Sequence, residues 1–334
     1  MLKKVIKKVI KRIAAFCIVC LLLAVVCLWA VNTGSLNVSG KQLFNGLFVA
    51  YDDAVAAVYY LRFPRIVISI LAGAALSVSG VLFQAVLKNP LTDPGIIGIT
   101  GGAGFAAMIF TACLPGLLQL VPAAAFVGGF LAFLFVYSLS FKQGLSPLRI
   151  VLVGVAVSTM FSGLTNAFNT MTGGNLSGTA SIVNGNITMK TWDDVKIALC
   201  YIPIGLLLSL LFAGRCNLLA LDDRAARGIG INVMAYRFMI STVAVMLAAV
   251  STAVVGMISF VGLIVPHIAR IYVGNNHKIL LPFSMLSGAL IFLFADTLGR
   301  TLMPPYEVSA SVIMAVLGGP FFILLLRRRS GYGS

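Results

Sequence analysis

Long apolar stretches follow one another along almost the whole chain, and this feature constrains the fold more than any other. Ten of them have about the length that an α-helix needs to cross the hydrocarbon core of a bilayer. They cover residues 13–31, 65–87, 95–113, 117–139, 148–169, 194–213, 236–256, 258–273, 279–298 and 308–326. Hydrophobic residues make up 60% of the sequence and charged residues only 10%. This composition excludes a soluble domain and predicts an all-α membrane protein with ten transmembrane helices.

The basic residues predict how these helices are oriented. If all ten cross the membrane, 18 of the 24 Lys and Arg residues lie on one side. Lys and Arg accumulate on the cytoplasmic side of membrane proteins, so both termini are expected there. The net charge of +15 then reflects topology and not nucleic-acid binding. We interpret 1–334 as a single polytopic domain with a basic N-terminal segment (1–12), a cytoplasmic loop (214–236) and a cytoplasmic tail (327–334).

The N-terminal run MLKKVIKKVIKR and the apolar stretch after it have two interpretations. One is a cleaved signal peptide. However, the apolar stretch from Ile13 to about Val31 is longer than a typical signal-peptide core, and no clear cleavage pattern of small residues follows it. A retained first helix is therefore expected.

The longest polar interruption in the second half of the chain is residues 221–237, LDDRAARGIGINVMAYR. Asp222 and Asp223 stand where an N-cap and a first-turn acid belong, and Gly228 stands where a helix C-terminus favours glycine. Arg224 and Arg227 lie toward the other end, so both signs of charge match a helix dipole. The pattern predicts a short helix of its own, and a solvated linker with an incidental helical turn is the alternative.

Small residues dominate the second apolar segment and the start of the third. Gly73, Ser77 and Gly80 allow close helix packing, and Gln84 follows them. Asp93 and Pro94 form an N-cap and N1 pair for a helix that would begin at about residue 95. Within that helix the GxxxG pattern of Gly98 and Gly102 is also expected to pack against a neighbour.

Basic residues on the outer side are few, and three of them lie at helix ends. Arg62 and Arg65 bracket Pro64, which suits a first helical turn and would place two guanidinium groups at the outer mouth. Anchoring at the membrane interface is the alternative role for such arginines. Arg300 follows Asp296 by four residues, a spacing that favours an ion pair. Glu307 is expected to serve the N-terminus of the last helix.

Four small or polar residues repeat along the fifth apolar segment. Gly154, Ser158, Ser162 and Asn166 fall four apart and share one slowly drifting face. The stripe fits the wall of a weakly polar passage, and it fits a packing seam equally well.

The cysteines and histidines do not have the spacing of metal ligands. The cysteines lie in or beside apolar segments, where we interpret them as small packing residues without a disulfide framework: Cys17, Cys20, Cys27, Cys113, Cys200 and Cys216. His267 and His277 are the two histidines, and we expect neither a metal site nor a bound cofactor. No GxxxxGK[ST] motif is present, so the glycines at 95–104 are not a phosphate-binding loop.

Two blocks of sequence resemble the permease family for ferric siderophores, haem and cobalamin. The first is RFPRIVISILAGAALSVSGVLFQAVLKNPLTDPGIIGITGGAGFAA. The second begins at LDDRAARGIGINV and continues through SFVGLIVPHIAR and LLPFSMLSGALIFLFADTLGRTL to ASVIMAVLGGPFFILLLRRR. The resemblance covers nearly the whole chain in order. One departure is the outer loop IVNGNITMKTWDD, where Val183-Asn184 replace a tryptophan common in the family and Trp192 remains.

The resemblance implies the permease of a type II ABC importer in the plasma membrane of a bacterium. Its implied partners are a second permease copy or paralogue, two cytosolic ATPases that bind ATP and Mg²⁺, and an external substrate-binding protein. The ATPase would dock on the loop Leu221, Asp222, Asp223, Arg224, Ala225, Ala226, Arg227, Gly228, Ile229 and Gly230. The binding protein would meet Arg62, Arg65 and Arg300. The substrate route would follow Gly154, Ser158, Ser162 and Asn166, with Ser146 and Pro147 near the cytoplasmic gate.

Two other classes of protein are weighed against this one. A secondary transporter usually carries ionisable residues or broken-helix ion sites near the bilayer midplane, and this chain offers almost none. An intramembrane enzyme would need a motif such as HExxH or GxSxG, and neither is present. The chain is therefore expected to be a transport subunit and not an enzyme. An iron chelate (a siderophore or haem) is the expected substrate, with cobalamin as the alternative.

Overall fold

A computed structural model describes residues 2–34, 38–140, 147–172, 182, 185–303 and 306–330. Regular structure in these residues is helical, apart from an isolated bridge between Met303 and Tyr306. A 3₁₀ helix covers Pro115–Leu120. The α-helices are α1 (Leu2–Asn32), α2 (Gly40–Phe48), α3 (Asp53–Leu61), α4 (Phe63–Val86), α5 (Ile99–Cys113), α6 (Val121–Ser140), α7 (Pro147–Met171), α8 (Trp192–Leu211), α9 (Ala213–Leu219), α10 (Asp223–Gly228), α11 (Val233–Val255), α12 (Val261–Val273), α13 (His277–Leu302) and α14 (Ala310–Ser330).

Each of the ten apolar segments corresponds to a helix, so the prediction of an all-α membrane protein is confirmed. Within the described ranges, seven helical stretches are long and apolar enough to span a bilayer. The helices α5, α12 and the apolar part of α14 are shorter. At 1.5 Å per residue, the 15 residues of α5 extend about 22 Å, which is less than the roughly 30 Å of a typical hydrocarbon core.

The helix α4 lies at the centre of the bundle. Of its 24 residues, 19 are buried, and it packs against α11, α12 and α13. Its glycines allow backbones to touch: a Cβ atom on Gly80 would lie 2.0 Å from the carbonyl oxygen of Gly262. A Cβ atom on Gly73 would lie 2.3 Å from that of Gly288, and the Ser77 hydroxyl donates to the Ser284 carbonyl at 2.6 Å. The predicted packing role of the small residues of α4 is confirmed.

Three details of the helix starts and of the cysteines differ from the sequence prediction. The helix α5 begins at Ile99, because Gly98 has φ +84° and precedes the helix as its N-cap. Gly98 therefore lies outside α5, although it still packs closely on α7, where a Cβ atom on it would lie 3.2 Å from the Ser158 backbone nitrogen; Gly102 contacts Gly128 of α6. Cys216 is the buried cysteine, and Cys17, Cys20, Cys113 and Cys200 lie on the surface of the chain, so packing inside the chain does not explain these four.

Candidate coupling, docking and translocation sites

The loop between α9 and α11 folds as the predicted short helix, α10. Its end has the Schellman geometry: the N–H of Gly230 donates to the Arg227 carbonyl at 2.9 Å, and the N–H of Ile231 donates to the Ala226 carbonyl at 3.1 Å. Gly230 has φ +80° and occupies the left-handed position. The assignment of Gly228 to that position is wrong, since Gly228 is the last residue of the helix. The Asp222 backbone takes the N-cap place, but its side chain accepts no capping hydrogen bond.

One face of α10 rests on the protein and the rest is exposed. Ala226 is buried and packs into the main core, with Ile231 against the same cluster. Around this anchor the side chains of Asp222, Arg224 and Arg227 point into solvent, and Ile229 is 61% exposed. An exposed helix that mixes charged groups with a large apolar side chain is suited to contact with another protein.

Asp223 ties α10 to two other helices. Its Oδ1 lies 2.9 Å from Nζ of Lys88, just after α4, and 2.9 Å from Nη2 of Arg237 in α11. The hydrogen bond from Lys88 lowers the pKa of Asp223, and the charge of Arg237 acts in the same direction. The Lys88 ammonium also donates to the Leu221 carbonyl at 2.5 Å. No local sequence pattern identifies Lys88 as a partner of this loop, because 133 residues separate it from Leu221.

At the opposite end of α4 the three candidate docking arginines form one cluster with two carboxylates. The Arg65 Nε lies 3.0 and 3.1 Å from the two carboxylate oxygens of Asp296, and its Nη2 lies 2.8 Å from one of them. Its Nη1 lies 2.8 Å from Oε2 of Glu307. The expected pair of Arg300 with Asp296 is present, with Nε and Oδ2 at 3.6 Å. Arg62 donates to the Val31 carbonyl.

These arginines are less accessible than the sequence predicted. Arg62 and Arg65 are only 9% and 6% exposed, so their guanidinium groups are largely covered within the chain. They are buried because α1 and α13 pack around the start of α4 and supply carbonyl and carboxylate partners. Glu307 does not serve the last helix: its carboxylate receives Arg65 and the Thr188 hydroxyl at 2.8 Å. Partial burial acts to raise the pKa of Glu307, but the hydrogen bond and the charge of Arg65 outweigh it and lower this pKa.

The stripe on α7 divides into two halves. Gly154 packs against the backbone of Ile96 and Ile97, and the Ser158 hydroxyl donates to the Gly95 carbonyl at 3.2 Å. Ser162 and Asn166 are exposed on the single chain. The first half is therefore a packing contact, and the second half is a polar surface without a neighbour among the residues that the structure describes. Pro147 begins α7, while Ser146 lies outside the described residues, as do Val183 and Asn184.

Asp93 joins the turn before α5 to the start of α12. Its buried carboxylate accepts the N–H of Gly95 at 2.8 Å and of Ile96 at 3.3 Å. It also accepts backbone N–H groups of Phe260 and Gly262. Burial raises the pKa of Asp93 to about 6, although these four donors favour the charged form. Asp93 does cap backbone groups, but α5 starts six residues later, and the helix that it serves is α12.

No group of three or more His, Cys, Asp or Glu side chains that could hold a metal ion occurs among the residues that the structure describes. The two histidines have other surroundings. His277 lies against Asn217, whose Oδ1 is 2.8 Å from the ring Nδ1, and His267 contacts the Phe321 ring edge to face.

Comparisons with known proteins agree with this geometry. Residues 21–328 match the model of the FecCD transport family. The "Probable heme-iron transport system permease protein IsdF" of Staphylococcus aureus strain Newman is 38% identical over 316 residues, which are 95% of this chain and 96% of that protein. The same protein from strain MW2 is 38% identical with the same coverage.

Two solved structures share the fold. One is an inward-facing conformation of a metal-chelate type ABC transporter, with a TM-score of 0.77 and 28% identity over 95% of this chain and 99% of that chain. PsaBC from Streptococcus pneumoniae, in complex with a Fab, has a TM-score of 0.56 and 17% identity over 85% and 94% of the two chains, and shows the fold alone. The predicted family, membrane location and non-enzymatic class are confirmed, and the chain belongs to the FecCD transport family as a multi-pass permease of a bacterial ABC importer.

Proposed function

We propose that this permease forms the route by which haem, or a related iron chelate, enters the cell. The observation that carries the substrate class is the 38% identity, over nearly the full length of both chains, to a permease named for haem-iron transport. The small number of charged residues in the bundle supports this substrate class, because a large chelate crosses a weakly polar passage without tight binding. A ferric siderophore is the second candidate and cobalamin the third.

The test of the substrate is a competition in proteoliposomes that hold the permease, its ATPase and its binding protein. Uptake of labelled haem should require ATP and should fall when unlabelled haem is added. A ferric siderophore or cobalamin in equal excess should compete poorly. If cobalamin competes better than haem, the substrate assignment is wrong while the transport function stands.

We propose further that the ten helices each cross the membrane and leave both termini in the cytoplasm. The distribution of Lys and Arg supports this topology, and α10 then lies on the cytoplasmic side with Lys88. Single cysteines at Lys7 and Arg224 should be labelled only from the cytoplasmic side, and one at Lys196 only from outside. These three side chains are exposed in the chain, so labelling reports sidedness and not burial.

The loop 221–230 is proposed to dock on the cytosolic ATPase. The exposed face of α10, with Arg227 and Ile229, supports this role, and the Schellman geometry at Gly230 fixes its shape. Arg227→Glu should abolish haem uptake while the permease still inserts. Gly230→Val should do the same, because a β-branched residue does not tolerate φ +80°. Lys7→Glu, an exposed charge reversal on the same side, is the matched control.

The outer cluster of Arg62, Arg65 and Arg300 is proposed to receive acidic groups of the external binding protein. Arg65 contacts the carboxylates of Asp296 and Glu307, Arg300 contacts that of Asp296, and Arg62 donates to the Val31 carbonyl. Three cations and two anions leave the cluster with one positive charge in excess. That excess would orient and accelerate an acidic partner more than it would tighten binding. Arg62→Glu should slow association and reduce its dependence on salt. An unchanged association rate at low ionic strength would exclude this role.

The route itself is proposed to run along α7, with Ser146 and Pro147 near its cytoplasmic end. The exposed polar half of the helix, Ser162 and Asn166, supports this placement. A second permease copy or a paralogue would close the other side of the passage. Cysteines at Ser162 and Asn166, in a background without native cysteines, should react with water-soluble thiol reagents in at least one nucleotide state. Protection in every state would indicate a dry contact between subunits.

A further inference from the structure

The helix α4 is held at both ends by basic side chains that reach other parts of the chain. At its start, Arg65 bonds Asp296 of α13 and also Glu307. Beyond its end, Lys88 bonds the Leu221 carbonyl and the Asp223 carboxylate, which flank the start of α10. One helix thus connects the candidate binding-protein cluster with the candidate ATPase loop.

Lys88 adopts a backbone conformation that side chains disfavour. Its φ of +50° is in the left-handed region, where a residue other than glycine is uncommon. Such a conformation persists when surrounding contacts determine it. Here the turn that follows α4 continues through Asn89, whose Oδ1 accepts the N–H of Leu91 at 3.0 Å. The reversed backbone lets the ammonium reach the α10 loop instead of following the axis of α4.

The helix between these two contacts is continuous from Phe63 to Val86. Its only proline, Pro64, lies in the first turn and so does not interrupt the helix. At Gly73 and Gly80 the backbone of α4 lies directly against that of α13 and α12, with no side chain between them. At 1.5 Å per residue its 24 residues extend about 36 Å, about the thickness of the hydrocarbon core.

We propose that Lys88 is a positioning residue that transmits displacement of α10 to α4, and that α4 carries this displacement to the cluster around Arg65. The inference rests on the proposed docking of the ATPase at α10. The Lys88–Asp223 pair is about one-third exposed, with side-chain exposures of 33% and 32%, and such pairs contribute little to folding. Its loss should therefore change coupling between the two faces and leave the fold intact.

The test uses the assembled transporter in proteoliposomes and compares Lys88→Met, Lys88→Arg and Lys278→Met. Three quantities are measured: basal ATP hydrolysis, its stimulation by loaded binding protein, and haem imported per ATP. Lys88→Met should retain the ATPase and its basal rate but lose at least about fivefold in stimulation and in import per ATP, the lower end of usual coupling between sites. Lys88→Arg keeps a cation within reach and should behave as wild type. Lys278→Met removes an exposed lysine at the same end of the bundle and should change nothing.

Each outcome separates this inference from the function on which it rests. Normal stimulation and import in Lys88→Met, with Arg227→Glu uncoupled, would overturn the role of Lys88 and leave the docking loop in place. Normal behaviour of both variants would overturn the docking loop itself. Loss of the ATPase from the Lys88→Met complex would assign Lys88 to docking and contradict a transmitting role. Should Lys88→Met fail to insert, Lys88→Gly removes the same ion pair, at a backbone φ of +50° that glycine adopts readily, and is held to the same result.

Asp223 also contacts Arg237, so α11 offers a second path from the same carboxylate. Arg237→Met distinguishes the two paths. If α4 carries the displacement, the loss of import per ATP in Arg237→Met should be at most half of the loss in Lys88→Met. An equal or larger loss in Arg237→Met would place the path in α11 and contradict the proposal.

Discussion

Asp296→Asn should destabilise the permease by several kcal/mol. The Asp296 carboxylate is 1% exposed and receives three hydrogen bonds from Arg65, whose side chain is 7% exposed, and it lies 3.6 Å from Arg300, whose side chain is 6% exposed. Removing one partner of a buried ion pair costs about 3–5 kcal/mol, because the remaining charge stays desolvated. Arg65 retains Glu307, so the lower end of that range, about 3 kcal/mol, is expected.

The assay measures unfolding of the purified permease in mixed micelles while a denaturing detergent is titrated in. Asp193→Asn is the matched control, since it removes the same charge from a pair whose side chains are 82% and 77% exposed. The free energy of unfolding of the control should equal that of wild type within the error of the titration. Equal destabilisation by the two variants, or none by Asp296→Asn, would refute the reasoning that burial sets the strength of the outer cluster.

Three further predictions concern other contacts. Gly80→Ala should destabilise the protein by about 3 kcal/mol or more, because the new Cβ would lie 2.0 Å from the backbone oxygen of Gly262. In the same unfolding assay Gly116→Ala should be neutral, because its new Cβ would have no atom within 4 Å. Because the pKa of Asp93 is raised, the folded protein holds the carboxyl proton of Asp93 more tightly than the unfolded chain does. The contribution of Asp93 to stability should therefore fall as pH rises from about 4 to about 6. Thermal unfolding against pH should show this decline in wild type and not in Asp93→Asn, and identical profiles would contradict it. Glu307→Gln should speed association of the binding protein at low salt, because it removes a carboxylate that occupies Arg65, and slower association in a stopped-flow assay would count against the docking role.

The helices were predictable from the sequence because a bilayer demands long apolar runs, and these are a local property. Where a helix begins was less predictable. The start of α5 moved from about residue 95 to Ile99, because Asp93 caps the turn before it and also accepts N–H groups of Phe260 and Gly262. That second role depends on a contact across more than 160 residues of sequence, which no local pattern reveals.

The site was predictable where it depends on local geometry. The short helix α10 followed from its charges, although the left-handed glycine is Gly230 and not Gly228. The pair of Arg300 with Asp296 followed from its spacing, but the stronger partner of Asp296 is Arg65, 231 residues away. Lys88 carried no local signal at all. Charged partners brought together by tertiary packing are what the sequence alone leaves open.

ATP-dependent uptake of labelled haem, in proteoliposomes with wild type or Arg227→Glu permease, tests the central claim most directly. The claim is that a separate ATPase acts through α10 to move an iron chelate along this chain. Uptake should require ATP, the ATPase and the binding protein together, and Arg227→Glu should abolish it without loss of the permease from the membrane. Uptake by the permease alone, driven by an ion gradient and indifferent to Arg227→Glu, would contradict the account.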